Sequence, residues 1–396
     1  MIPIRPQPGS SRSLSSFVGR IQPTEDALQM LERGVDLLVS DPRRMGKTQF
    51  LRYLAREAAS DWVSVMIDFE DVHTATAFLE RAAQALSGEQ ALSAQFRQTV
   101  LAFFRTFEGA EVGVATVGSL KLSAAFEGQD PLVLLDRIVS QLDRERADGR
   151  GFLLLLDEVP IAIRNIERRE GADAARSVLQ TLRRLTQTTR HVRWVVCGSI
   201  GFHHVLRAIG ATQGDINSLT NLPLGPLAES ESWELANRLL LGAGCAPGDI
   251  DDESVRTHAE ECGAIPFLMH HLGLLIEQRG WRAPTPAQVR SAFVDLLNDH
   301  DGSHAVDHFV ERLDENYGAN AALARAILDA IAQGGAVTAS EIATQFSNAA
   351  TAEDIGQILD LLTRDHYLRM TSRRFEWRYT VIKRIWAHRR HLETVL

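Results

Sequence analysis

Short apolar runs alternate with amphipathic helical stretches along the first half of the chain. Four runs, at residues 35–39, 63–69, 152–156 and 192–197, have the length of a buried strand. Each is followed by a turn or by apolar positions at helical spacing. Such alternation is typical of βαβ units, so it predicts an α/β domain with a mostly parallel sheet and flanking helices.

The second half of the chain has a different pattern. Over residues 223–300 the strands stop, and helical spacing broken by prolines predicts a small helical domain. Farther on, a helix near 321–332 precedes two capping boxes, Thr338–Glu341 and Thr351–Asp354, and then two short strands at 367–370 and 375–379. Three helices followed by strand, turn and strand predict a winged-helix domain.

These patterns give the predicted domain organisation. Residues 1–16 are rich in Pro, Ser and Arg and are expected to be a disordered tail. The α/β domain covers 17–222, the helical domain 223–300 and the winged helix 301–396. Within the α/β domain, residues 96–107 have helical spacing and residues 112–126 alternate like a hairpin, an insertion that we interpret as structural cover.

Composition narrows the possible classes of protein. The 396 residues are 45% hydrophobic and 23% charged, which is ordinary for a globular chain of two or three domains. The net charge of −9 disfavours a general affinity for polyanions, so contact with nucleic acid would need a local basic patch. The three cysteines lack zinc-site spacing. No apolar run approaches the roughly 20 residues that a bilayer requires, and we expect a soluble cytoplasmic protein without membrane contact.

A phosphate-binding motif follows the first predicted strand. Residues 40–48 read Ser-Asp-Pro-Arg-Arg-Met-Gly-Lys-Thr and lead into a helical pattern, which is the strand-loop-helix position of a P-loop. Lys47 suits the β and γ oxygens of a nucleotide and the Thr48 hydroxyl suits Mg²⁺. Asp41 replaces the first glycine of the motif. This change either alters the entry to the loop or adds a negative charge that Arg43 and Arg44 offset.

Two carboxylates end the third predicted strand. Asp157 and Glu158 follow five apolar residues, as in a Walker B motif. Asp157 would hold Mg²⁺ through water and Glu158 would polarise the attacking water. The alternative is a strand that merely exits into solvent through two acids. Ser199, after the fourth strand, lies where a sensor of the γ-phosphate would lie, although Gly-Ser is also a common turn.

Together these motifs resemble the signal-transduction (STAND) and archaeal-type branch of the AAA+ ATPases, with an origin-recognition-like architecture. The motif at 17–20 is similar to the adenine-side motif of that group, the loop at 42–48 to its arginine-bearing P-loop, and 263–267 to the Gly-x-Pro signature of its lid. The resemblance covers residues 17–396. Ile21 departs from it, since the group often has an acid there, and so does Asp41.

The resemblance implies roles for individual residues. Phe17 and Val18 would touch the base, Arg20 would anchor the nucleotide end of its linker, and Pro266 would close over the adenine side. A hydrophobic staple and an ordinary helix start are the open alternatives. The remaining residues that would contact the nucleotide are Arg43, Arg44, Met45, Gly46, Lys47, Thr48 and Gln49. An arginine finger acting on a neighbouring subunit is expected, with Arg190 and Arg193 as candidates.

Charge in the predicted winged helix is divided. Its second capped helix is acidic and unsuited to a DNA groove, whereas the wing and terminal helix are basic and aromatic. A nucleic acid could contact Arg369, Arg373, Arg374 and Arg378. The same patch could equally dock on protein.

Three functions follow as hypotheses. The first is an ATP- and Mg²⁺-binding switch that hydrolyses slowly, forms homo-oligomers and regulates a separate effector, with stress signalling or anti-phage defence as a setting suggested by analogy. The second is a DNA-binding loader, or a regulator of transposition or replication, that grips duplex with the basic wing. The third is a nucleotide-binding scaffold with little hydrolysis, favoured if Asp41 spoils the loop.

Overall fold

The computed structural model describes residues 2–9, 14–105, 130–145, 149–198, 201–298 and 312–392. Its contacts divide the chain into two compact units. We call the first the helical unit; it comprises Met1–Arg20, Asp41–Gly46 and Leu224–Leu396. The second, the sheet unit, comprises Ile21–Ser40 and Lys47–Pro223. The predicted hairpin at 112–126 lies outside the described residues.

The sheet unit contains a five-stranded parallel sheet. Its strands are β1 (Asp36–Val39), β2 (Trp62–Asp68), β3 (Gly151–Asp157), β4 (Val192–Cys197) and β5 (Leu219–Asn221), in the order β2-β3-β4-β1-β5. The four predicted strands are confirmed. The sequence pattern missed β5, because a three-residue edge strand with two exposed polar residues carries no apolar signal.

Helices connect the strands of the sheet unit, as parallel strands require. Their bounds are α1 (Ile21–Glu32), α2 (Lys47–Glu57), α3 (Ala75–Gly88), α4 (Ala94–Arg105), α5 (Pro131–Arg144), α6 (Val159–Glu170), α7 (Ala172–Thr188) and α8 (Phe202–Ala208). Strands β1 and β4 are buried along their whole length, and β3 is buried from Phe152 onward. This explains why they read as continuous aliphatic runs rather than as alternating ones.

A buried ion pair joins the amino ends of β1 and β4. Arg193 Nη1 lies 3.3 Å from Asp36 Oδ1, and both side chains are less than a tenth exposed. Asp36 also accepts a hydrogen bond from the backbone N–H of Trp194. Burial raises the pKa of Asp36 from 3.8 to about 6, although Arg193 opposes the shift.

The described residues of the helical unit include helices and a hairpin that share one apolar core. The helices are α9 (Glu229–Gly242), α10 (Asp252–Glu261), α11 (Pro266–Gln278), α12 (Pro286–Asn298), α13 (Arg312–Tyr317), α14 (Ala321–Gly334), α15 (Ala339–Gln345), α16 (Ala352–Arg364) and α17 (Thr380–Arg389). Strands β6 (Leu368–Thr371) and β7 (Arg374–Trp377) pair antiparallel between α16 and α17.

Both predicted capping boxes are present. Thr338 and Glu341 exchange backbone-to-side-chain hydrogen bonds of 2.6 and 3.2 Å at the start of α15. Thr351 and Asp354 do the same at 3.2 and 3.1 Å at the start of α16. Each box satisfies backbone N–H groups that the first helical turn leaves without a partner, so the sequence determines where both helices begin.

The amino-terminal residues depart from expectation. Residues 2–9, which we call the strap, were expected to be disordered, but they pack along α9 and α11. Ile4 is only 3% exposed, and its N–H donates to the Arg238 carbonyl at 2.8 Å. The prediction of a disordered tail is therefore wrong for residues 2–9.

No helix among the described residues is both long and apolar enough to cross a membrane.

Candidate phosphate-binding site

Helix α2 presents its amino terminus at the carboxyl end of β1. Lys47 is its first residue and is only 6% exposed, although it carries a charge. Gly46, just before it, has φ of 85°, a left-handed conformation that favours glycine. The first N–H groups of a helix have no partner within the helix and carry partial positive charge, so this terminus suits an anion.

Thr48 and Asp157 bring two oxygens together beside this terminus. The Thr48 hydroxyl donates to Asp157 Oδ2 at 2.7 Å, which connects α2 to the end of β3. Asp157 is 2% exposed, and burial raises its pKa above the ordinary range. A hydroxyl and a carboxylate are hard oxygen ligands of the kind that Mg²⁺ prefers, so the residues present fit that ion.

Two further residues surround Asp157 that the motifs did not identify. The buried Cys197, at the end of β4, lies near Asp157, and its thiol favours the charged form of that carboxylate, which lowers the Asp157 pKa. Burial raises the pKa of Cys197 well above its usual value, so the thiol stays protonated. Asp68 pairs in register with Asp157 at the end of β2 and adds negative charge. Adjacent parallel strands end at one edge of the sheet, a signal that could have found both.

Glu158 occupies the residue before α6 in an uncommon backbone conformation. Its φ of 56° and ψ of 31° are left-handed, and its N–H donates to Asp157 Oδ1 at 3.1 Å. Non-glycine residues in this region often mark functional positions. Gly198 lies close by, since a Cβ added there would overlap the Pro160 ring. Ser199, the predicted sensor, lies outside the described residues.

Asp41, the residue that departs from the P-loop motif, has a definite role within the helical unit. It is 3% exposed and accepts hydrogen bonds from the backbone N–H groups of Leu224 at 2.9 Å and Gly225 at 3.2 Å. Arg20 is a neighbouring cation. The carboxylate therefore fastens the start of the phosphate loop to the 224–225 segment, which explains why an acid stands in place of glycine.

Arg20 holds the same loop at its other end. It is 2% exposed, and its guanidinium donates to the carbonyls of Leu224, Pro226 and Met45 at 2.6, 3.1 and 2.7 Å. Burial lowers its pKa, which Asp41 and Glu231 oppose. Arg20 thus anchors the loop through carbonyl groups, while the Met45 side chain lies in the apolar core.

The other predicted nucleotide contacts lie as follows. Val18 is buried in the core of the helical unit and Phe17 is half-buried. Pro266 is the first residue of α11, and the next residue, Phe267, stacks under the Arg44 guanidinium at 4.5 Å. Arg43 and Gln49 are half-buried, and the buried Gln49 Oε1 accepts no hydrogen bond among the described residues. Their nucleotide contacts remain predictions.

One predicted arginine finger is wrong. Arg193 is buried, paired with Asp36, and donates to the carbonyls of Gly34, Thr189 and Arg190. A side chain so enclosed cannot reach a neighbouring subunit. Arg190 is exposed and stays a candidate, although it lies before the amino end of β4, at the edge of the sheet opposite Asp157.

Most of the predicted nucleic-acid contacts are engaged within the chain. Arg369 pairs with Glu376 at 2.9 Å and Arg374 with Glu341 at 3.2 Å. Arg378 donates to the Tyr379 hydroxyl at 3.1 Å. These partners favour the docking alternative for the patch. Arg373, exposed at the hairpin turn with φ of 63°, has no ion-pair partner among the described residues.

Comparisons with known proteins place the fold. A Walker-type ATPase of Pyrococcus abyssi superposes with a TM-score of 0.61 and 16% identity, over 96% of this chain and 98% of that chain. The ORC2 protein of Aeropyrum pernix, in ADPNP–ADP complexes, gives a TM-score of 0.50 and 12% identity, over 99% of this chain and 97% of that one. No family model and no curated protein sequence gives a match. The parallel sheet and the likeness to these two structures show that the chain has a P-loop NTPase fold.

Proposed function

We propose that this chain binds ATP with Mg²⁺ and hydrolyses it slowly, as a nucleotide-dependent switch that forms homo-oligomers and regulates a separate partner protein. The observation that carries the proposal is the 2.7 Å hydrogen bond from Thr48 to the buried Asp157, next to the helix terminus that begins at Lys47. These three groups are the hydroxyl, carboxylate and cation that phosphoryl transfer requires. The Aeropyrum ORC2 protein forms ADPNP–ADP complexes, which supports the choice of an adenine nucleotide.

Each residue has a distinct task in this proposal. The α2 N–H groups and the Lys47 ammonium hold the phosphates, and Thr48 and Asp157 hold Mg²⁺, Asp157 through water. Bound Mg²⁺ supplies charge neutralisation on the phosphate oxygens. Glu158 orients and polarises the attacking water, from a left-handed backbone conformation directly after Asp157. Slow turnover is an expectation from the resemblance.

A protein partner is favoured over DNA by the charges of the C-terminal part, which we interpret as a winged-helix domain following a helical lid. Helix α16, in the place of a recognition helix, exposes Glu353, Asp354 and Asp360. Two basic residues of the C-terminal part are paired within the chain: Arg384, in α17, with Glu261 at 2.8 Å, and Arg390, just after α17, with Asp329 at 2.7 Å. A polyanion would have to displace these partners.

A DNA-binding loader is the second candidate, and the exposed Arg373 at the hairpin turn favours it. The measurement is ATP hydrolysis with and without duplex DNA at low and moderate salt. Stimulation that fades as salt rises and is lost in R373A would establish the loader. Turnover indifferent to DNA would favour the partner-controlled switch, which affinity purification with the E158Q variant would then pursue.

Two substitutions test the ATPase proposal. K47A should abolish binding of a fluorescent ATP analogue, whereas E158Q should bind it normally and lose turnover by about 10²–10⁴-fold, the range for a lost general base. K383A and E32Q, at a half-buried lysine and an exposed glutamate outside the motifs, are the matched controls. Unchanged turnover in E158Q would refute the catalytic assignment, and unchanged binding in K47A would refute the phosphate site.

A further inference from the structure

Arg44 belongs to the phosphate loop, yet its side chain is held by groups outside that loop. One face of the guanidinium lies over the Phe267 ring, with 4.5 Å from Cζ to the ring centroid. Gly9, at the end of the strap, lies against Arg44 as well, because a Cβ added to Gly9 would be 3.2 Å from Arg44 Nη1 and 3.7 Å from Phe267 Cε2. Arg44 itself has φ of 72°. Stacking uses the faces of a guanidinium, whose N–H donors lie in the plane of the group.

The strap reaches Arg44 through an extended segment with alternate buried residues. Ile4 and Pro6 point inward, while Ile2, Pro3, Arg5 and Gln7 are exposed. The Ile4 N–H donates to the Arg238 carbonyl at 2.8 Å, and Arg238 Nε donates back to the Ile2 carbonyl at 2.9 Å. Near its end, the Gln7 N–H donates to His270 Nδ1 at 3.2 Å.

Two glycines in α9 and α11 make room for the strap. A Cβ at Gly242 would overlap the Ile4 carbonyl oxygen, and one at Gly273 would lie 3.1 Å from Pro6 Cγ. Neither glycine has a positive φ, so an alanine at either position meets the strap rather than backbone strain. The groove between α9 and α11 therefore contacts the strap closely at two glycines, Gly242 and Gly273.

We infer that the strap is a positioning element of the phosphate loop: seated between α9 and α11, it brings Gly9 against Arg44 and, with Phe267, fixes the guanidinium that contacts the nucleotide phosphates. This inference rests on the proposed function. Fixing a guanidinium in advance lowers the entropy lost when it binds a phosphate. The strap therefore raises nucleotide affinity through Arg44.

The experiment measures the dissociation constant of a fluorescent ADP analogue for full-length variants. I4D places a charge in the groove, and G242A displaces the strap without adding polarity. Each should weaken binding by about tenfold, the equivalent of one charge-assisted hydrogen bond. The matched controls are I2D, at a residue that is 76% exposed, and G248A, at a glycine with no atom near an added Cβ. Both controls should bind as the wild type does.

A double-mutant cycle separates positioning from general damage. In an R44M background, I4D and G242A should cause no further loss, because the group through which the strap acts is gone. Equal loss in both backgrounds would overturn the inference, and so would unchanged affinity in both strap variants. If I4D proves unfolded by circular dichroism, G242A alone decides.

Failure of the proposed function gives a different result. If the wild type itself binds no nucleotide, and K47A matches it, the proposed function and the inference fall together. If the wild type binds and K47A does not, but the strap variants bind normally, only the inference falls. Protection of the Ile4 amide from hydrogen exchange, compared between wild type and G242A, verifies that the substitution displaces the strap.

Discussion

Restoring the missing glycine of the P-loop should destabilise this protein rather than improve it. In D41G, Leu224 and Gly225 lose the carboxylate that now accepts from their N–H groups at 2.9 and 3.2 Å. Hydrogen bonds to a buried charged group contribute about 1.5–3 kcal/mol each, and the new glycine adds about 0.5–1 kcal/mol of backbone entropy. Arg20 keeps its three carbonyl partners but loses its anionic neighbour. We therefore expect the free energy of unfolding of the helical unit to fall by about 4 kcal/mol.

Urea denaturation followed by tryptophan fluorescence measures this loss. Four of the six tryptophans, Trp233, Trp281, Trp377 and Trp386, belong to the helical unit, and Trp62 and Trp194 belong to the sheet unit. With a slope near 2 kcal/mol per molar, the transition of the helical unit should move down by about 2 M. D41N, which keeps one acceptor oxygen, should fall between D41G and wild type.

An exposed carboxylate provides the control. D249G removes an exposed acid in the same unit and should shift the transition little. If D41G unfolds at the wild-type urea concentration, Asp41 does not fasten the loop. If D41G also binds nucleotide more tightly at unchanged stability, Asp41 is only a degenerate motif position, and its structural role is refuted.

Three other predictions concern pH and close packing. The pKa of Asp36 is raised from 3.8 to about 6 in the folded protein. The free energy of unfolding of the sheet unit should therefore fall by about 3 kcal/mol as pH rises from below 4 to above 6. Urea melts at a series of pH values should show this fall in the wild type and a flatter pH dependence in D36N. Burial lowers the pKa of His258 from 6.5 to about 4. The free energy of unfolding of the helical unit should therefore fall by about 3 kcal/mol as pH falls from 6.5 to 4. Equal stability of that unit at pH 7 and pH 4, or the same pH dependence in a folded H258Q variant, would contradict this prediction. G198A should lower the free energy of unfolding by about 1–3 kcal/mol, because its Cβ would overlap the Pro160 ring, and it should slow ATP turnover by shifting Glu158. The control G88A has open space around the added Cβ and should change neither property. An unaltered melting temperature in G198A would disprove the contact.

The fold of the sheet unit was predictable because its signals are local. Aliphatic runs identified β1 to β4, and the position of Lys47 and Thr48 between strand and helix identified the phosphate loop. The capping boxes at Thr338 and Thr351 gave helix starts for the same reason. Strand β5 was missed because two of its three residues are exposed and polar, as its place at the sheet edge allows.

Errors arose where long-range contacts decide the outcome. Nothing near residues 2–9 indicates that Gly242 and Gly273 leave room for them, so a proline-rich composition pointed to disorder. Arg193 lies two positions into β4, at the amino edge of a parallel sheet whose phosphate loop follows the carboxyl edge. Because ligands bind at the carboxyl ends of parallel strands, this position could have excluded Arg193 from the catalytic side of the sheet. Asp41 is the opposite case, because this departure from the P-loop motif reflects the hydrogen bonds that its carboxylate accepts from Leu224 and Gly225.

The buried pair of Asp36 and Arg193 has a consequence for how the sheet assembles. In the observed register of β1 and β4, Leu37 pairs with Val195 and Leu38 with Val196, and both strands are buried on both faces. Aliphatic side chains of similar shape would tolerate a slip by one or two residues, since no face of either strand is reserved for water. A slipped pairing would instead leave the Asp36 carboxylate and the Arg193 guanidinium buried apart from each other, at a cost of several kcal/mol. The ion pair therefore disfavours every alignment of β1 on β4 other than the observed one.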